Sequence, residues 1–108
     1  MNDKGLFGKA NVIYRYTQQQ GIEDGVLIPI ATYRGFKVVF TTNLWEGEKL
    51  KKKPIRLVRI ILRGLELLAK DDNEDTPHMR LRVVEKDKIW VIWTDREKSY
   101  VFMRPEDY

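Results

Sequence analysis

His78 is the only histidine in a chain of 108 residues that has no cysteine, so it is the one side chain whose ordinary pKa lies close to neutrality. It follows Pro77 at a junction between a loop and a strand, and a catalytic dyad would have to be assembled around it by the fold. Asp71, Asp72, Glu74 and Asp75 supply hard oxygen ligands, but the run lacks the alternation and closing glutamate of a calcium loop. It reads as a solvated acidic loop that offsets nearby lysines. Gly5 and Gly8 lead into no Gly-Lys-Ser/Thr, which a phosphate-cradling loop requires. The sequence therefore predicts no enzyme, no metal and no cofactor.

Binding chemistry is the stronger signal. From Glu48 to Arg63 seven basic residues face one acid. Of these, Lys51, Lys52, Lys53, Arg56, Arg59 and Arg63 are the candidate partner-binding residues, suited to phosphates or to an acidic protein surface. The competing reading is a solvated connector followed by the wet stripe of a buried helix. No helix-turn-helix or zinc-finger spacing accompanies them, so reading of a DNA sequence has little support. A second candidate is Arg80, Arg82, Trp93, Tyr100, Phe102 and Arg104, which alternate onto one sheet face together with Val91. Aromatic rings among arginines suit the stacking of unpaired bases. A fold of Val12 to Ile30 over that face, or a second subunit in a homodimer, would bury it instead.

The element that must position the basic run is a helix from Pro54 to about Lys70, with proline in its first turn. At roughly 100° per residue, Arg56, Arg59, Arg63, Glu66 and Lys70 share one narrow stripe. Leu57, Val58, Ile60, Ile61, Leu62, Leu65, Leu67 and Leu68 take the rest of the circumference. So wide an apolar arc predicts a central helix that other elements cover for the most part. Three strands, Met79 to Glu85, Lys88 to Thr94 and Ser99 to Arg104, follow as an antiparallel meander with turns at Lys86-Asp87 and near Arg96-Glu97. With a two-residue first turn, Leu81, Val83, Trp90, Ile92, Val101 and Met103 share the other face, the one expected against the helix.

Upstream, Val12 to Tyr16 has the composition of a short strand. Thr17 to Gln20 has the spacing of a capping box, and Gly25 ends the short helix it starts. Val26 to Ile30 is an apolar run in which Pro29 allows only an edge strand or irregular segment. Phe36 to Phe40 is a second short apolar run, and Thr41 or Thr42 caps a turn of helix holding Leu44 and Trp45. The length suits one domain spanning residues 1–108, with residues 1–9 expected to be flexible. No run is long and apolar enough for a membrane span or a signal peptide, and the lack of cysteine excludes a disulfide scaffold. The expectation is a cytoplasmic protein.

Val12-Ile13-Tyr14-Arg15-Tyr16-Thr17 followed by Ile22-Glu23-Asp24-Gly25-Val26-Leu27 resembles the opening signature of a small-protein family of unknown function, carried on phage, plasmid and other mobile or actinobacterial genomes. The resemblance extends to Thr41, Leu44 and Trp45, to the central helix, and to Met103-Arg104-Pro105-Glu106-Asp107. It implies an origin on a mobile element and says nothing established of activity. Asp24 is the signature residue with the least evident structural role; hydrogen bonding at the turn after Gly25 would supply one.

These readings give an α+β fold, a three-stranded meander over about residues 79–104 packed on the helix at about 54–70, with short N-terminal helices and extended segments. The leading functional expectation is a non-catalytic binder that masks a host protein or nucleoprotein complex, with inhibition of a CRISPR or restriction complex as one concrete form. The alternative is a small nucleic-acid-binding accessory protein that uses residues 49–63.

Overall fold

The computed structural model describes residues 26–108. The Val12 to Tyr16 segment, the Thr17 capping box, the Gly25 stop, and the first block of the resemblance with Asp24 lie outside the described residues, Val26 and Leu27 excepted. Within them, the apolar runs Leu27–Tyr33 (β1) and Phe36–Thr41 (β2) form an antiparallel hairpin. Its two-residue turn is Arg34-Gly35, and both residues have positive φ, 54° and 82°, as the mirror-image hairpin turns require. β1 is an edge strand whose register shifts between Pro29 and Ala31, which is how a residue without an N–H is accommodated. A short helix, Thr42–Gly47 (α1), a single 3₁₀ turn at Leu50–Lys52 and the long helix Pro54–Leu68 (α2) follow. The chain then completes the sheet with Met79–Glu85 (β3), Ile89–Thr94 (β4) and Ser99–Met103 (β5), and ends in a 3₁₀ turn at Pro105–Asp107.

The α+β class and the C-terminal meander are present, but the meander is part of a larger mixed sheet. Five strands run in the order β1-β2-β5-β4-β3, and β2 pairs in parallel with β5 through Lys37–Ser99 and Phe40–Phe102. The expected pairing within the meander holds from Met79↔Thr94 to Val83↔Trp90. A register shift before Glu85↔Ile89 then widens the turn, which places Asp87 in the left-handed region.

The helix lies on the opposite sheet face from the one expected. α2 packs Ile60 and Leu68, with Leu57, Ile61 and Leu65, onto Val38, Phe40, Val91, Tyr100 and Phe102. Leu27, Val39, Ile92, Val101 and Met103 form a separate buried cluster on the reverse face, bordered by Leu81 and Trp90. The reason is the β2–β5 pairing, which sets Val38 beside Tyr100 and Phe40 beside Phe102. That broadens the aromatic face into a floor wide enough for a helix. The phenyl rings of Phe40 and Phe102 stack at 4.9 Å. Gly64 rides directly over Phe102, since a Cβ there would come within 2.5 Å of its ring.

The two later blocks of the resemblance meet in space. The Thr41 hydroxyl accepts from Leu44 N (3.3 Å), capping α1, and donates to Asp107 Oδ2 (2.7 Å). Asn43 Nδ2 donates to the other Asp107 oxygen at 3.2 Å. The Pro-acid-acid ending is thereby tied to the start of α1, a structural role that satisfies a buried carboxylate.

Candidate partner-binding surface

The floor sets which way α2 faces. Ile60, Gly64 and Leu68 point inward, and the opposite stripe is left to solvent. On that stripe Ile55, Val58 and Leu62 are 70%, 52% and 60% exposed, at spacings that align them on one side of a helix. The expectation that the apolar arc would be mostly covered holds for the inward residues and fails for Val58 and Leu62. Arg59 and Arg63 are exposed beside them. Arg63 pairs with Glu66 one turn on, at 2.8 Å, which holds the Glu66 carboxyl below the usual range. Lys51, Lys52 and Lys53 are all exposed at the helix entrance.

Arg56 belongs to the same stripe but is spent inside the protein. Its guanidinium donates to both oxygens of Glu85 (2.9 and 3.0 Å) and to Glu48 Oε1 (3.0 Å). Those bonds, Glu85 first, raise its pKa further, and its hydrogen bond holds Glu48 low. Arg104 donates to the second Glu48 oxygen at 3.1 Å. One carboxylate thus joins α2 to the end of β5. These two arginines are structural ties, and of the candidate run Lys51, Lys52, Lys53, Arg59 and Arg63 remain presented outward.

The aromatic and basic face is not an open platform. Phe102 is fully buried under Gly64 and Tyr100 is nearly so. Arg82 is buried: Nε donates to the Leu67 carbonyl (3.2 Å), and Nη2 to the Lys70 carbonyl and to Asp75 Oδ2 (each 2.7 Å). Nη1 meets the other Asp75 oxygen at 2.7 Å. Arg80 Nη1 donates to the Leu68 carbonyl (3.0 Å), and its Nη2 to Asp71 (3.2 Å). The final carbonyls of a helix have no intrahelical partner and carry its negative dipole end. Two arginines from the edge strand supply both donors and charge, and the acidic loop holds them in place. Arg82 keeps the Asp75 carboxyl below the ordinary carboxylate range, and Asp75 in return raises the arginine. Asp71 and Asp75 are thus engaged by arginines, and no acidic or histidine cluster suited to a metal occurs among the described residues.

Trp93 stays half-exposed in a cleft of about 260 Å³ that it lines with Tyr33, Arg34, Leu65, Leu68, Ala69, Arg80 and Tyr100. His78 Nδ1 lies 3.1 Å from Asp95 Oδ2 in the open. This has the form of a base and its orienting carboxylate, and among the described residues Asp95 is the one side chain hydrogen-bonded to the ring.

The sequence did not disclose the exposed Ile55–Val58–Leu62 row. Its signal was an apolar arc wider than one sheet face covers. Compared with known protein families, curated proteins and solved structures, the chain matches none. No helix among the described residues is long and apolar enough to cross a membrane.

Proposed function

We infer that the protein is a non-catalytic binding protein that uses the outer face of α2 to mask an acidic surface on a partner protein. The observation that carries this reading is the row Ile55, Val58 and Leu62, largely exposed and flanked by Arg59, Arg63 and the three lysines. Apolar anchors at helical spacing provide buried contact area, and surrounding charge provides steering and choice of partner. Phosphate binding alone gives no reason for exposed isoleucine and leucine, so a protein is favoured over nucleic acid. A symmetric pair of copies would bring the same cations together, which favours an acidic partner over self-association. An origin on a mobile element belongs to this reading through the family resemblance, and an anti-defence target in the host cytoplasm is one concrete form of the masking role.

The test is capture of partners by tagged protein from host lysate at about 150 mM salt, where charges beyond about 8 Å are screened, with and without nuclease. The same capture is run with Val58→Ser/Leu62→Ser and with Arg59→Glu/Arg63→Glu. A defined protein that survives nuclease and is lost with both variants supports the reading. Captured material that vanishes with nuclease, or that persists with both variants, contradicts it. Binding to nucleic acid with a salt slope reduced by Lys→Glu changes at 51, 52 and 53 would install the accessory-protein alternative.

A further inference from the structure

The cleft at the other end of α2 has chemistry that neither the fold nor the proposed helix surface uses. Its walls are Tyr33, Trp93 and Tyr100, its base is Leu65 and Leu68, and arginines stand on two sides. The rings form one connected set. Tyr33 meets Tyr100 edge-on at 6.0 Å, and Phe36 touches both Tyr100 and Trp93 at 5.8 and 5.9 Å.

Arg34 is the telling residue. It occupies a hairpin-turn position at φ 54°, where glycine or asparagine is the unstrained choice. Its guanidinium carbon sits 5.3 Å above the Tyr33 ring, and no acid among the described residues pairs with it. Across the cleft, Arg80 is already committed to Leu68 and Asp71. The C-terminal dipole of α2, which would repel an anion, is therefore neutralised on that side, and the free positive charge lies on the hairpin side.

We propose that this cleft is a nucleotide-binding site, in which the base stacks on the accessible rings of Trp93 and Tyr33 while Arg34 takes the phosphate. A base offers the cleft a flat ring to stack, and stacking tolerates any base. A guanidinium at the mouth meets phosphate oxygens in its preferred fork geometry. Burial raises the Tyr100 phenol, so its hydroxyl stays protonated and available to hydrogen-bond a base edge. The ligand chemistry is the same whether the nucleotide is free or is an unpaired residue of a strand.

The test is an ¹⁵N NMR titration of the full chain with thymidine monophosphate, thymidine, inorganic phosphate and a short oligothymidylate. Saturable shifts at the Trp93 indole N–H and the Tyr33 and Arg34 amides are expected with the monophosphate. Thymidine should bind more weakly and phosphate alone should leave these signals still. Arg34→Asn suits the left-handed turn, so it should retain or raise Tm while weakening the monophosphate about tenfold. Tyr33→Ala at the exposed hairpin end should weaken it as well. An oligomer more than tenfold tighter identifies a strand as the source, and equal affinity identifies the free nucleotide. Absence of a saturable shift up to about 1 mM, affinity unchanged in Arg34→Asn, or shifts confined to Lys51 through Arg63 would each overturn the site.

Discussion

Arg82 shows how one side chain serves charge, capping and packing together. Its guanidinium satisfies the Leu67 and Lys70 carbonyls and both oxygens of Asp75 while buried. Replacing it with methionine keeps the stem but removes its bonds to the Leu67 and Lys70 carbonyls and to Asp75, so Arg82→Met is expected to cost about 2–3 kcal/mol, since hydrogen bonds to charged groups are the strong ones. Thermal unfolding should register this as a Tm lowered by about 10 °C or more in a domain of this size. Asp75 and Glu48 both have folded pKa values depressed by arginine, Asp75 by Arg82 and Glu48 by Arg56. Their contribution is present above the unfolded carboxylate values of about 3.9 and 4.3, and is lost as pH falls through the folded values. Denaturant unfolding should therefore give nearly constant support from these pairs between pH 7 and 5 and a decline below about pH 4; a steep loss already at pH 6 would contradict it. At this scale the sequence was least legible. The letters of Arg80 and Arg82 are the same whether they meet phosphates or helix carbonyls, and only the position of β3 beside the end of α2 separates the two.

At the scale of elements, α2 is fixed by its inner face. Gly64 lets it approach until Phe102 would touch a Cβ at 2.5 Å. Gly64→Ala gains about 1 kcal/mol of helix propensity but forces a clash with a fully enclosed ring, which typically costs 1–3 kcal/mol or so. The clash should win, and chemical denaturation should show a protein less stable by about 1 kcal/mol; a stabilised variant would mean that helix and sheet are not in contact there. The outer face behaves differently. Val58→Ser/Leu62→Ser removes solvent-exposed side chains, so stability should stay within about 0.5 kcal/mol while partner capture is lost. Helix α2 and strands β3 to β5 were legible because proline, the period of the arginines and charged turns mark them locally. The β1–β2 hairpin was visible only as two apolar runs. Its parallel alliance with β5 joins residues some sixty positions apart, and no local spacing encodes such a pairing. Missing it reversed the sheet face assigned to the helix.

For the whole molecule, charge and apolar exposure divide the surface by task. The carboxylates Glu48, Asp71, Asp75 and Glu85 meet arginines within the fold. Lys51, Lys52, Lys53 and Arg59 are exposed with no acidic partner among the described residues, as is Arg34 at the cleft. The most exposed apolar side chains, Ile55, Leu62 and Val58, lie beside the lysines and Arg59, apart from Val83 on β3 and Tyr33 at the hairpin, which is why the outer face of α2 is assigned to a protein partner. The most direct measurement is methyl NMR of Ile, Leu and Val side chains while the captured partner is titrated into the labelled protein. The account predicts that Ile55, Val58 and Leu62 shift first and most, and that Val38 and Val91 beneath the helix stay unchanged. Shifts centred on β1 or β3, with the three helix residues still, would contradict it.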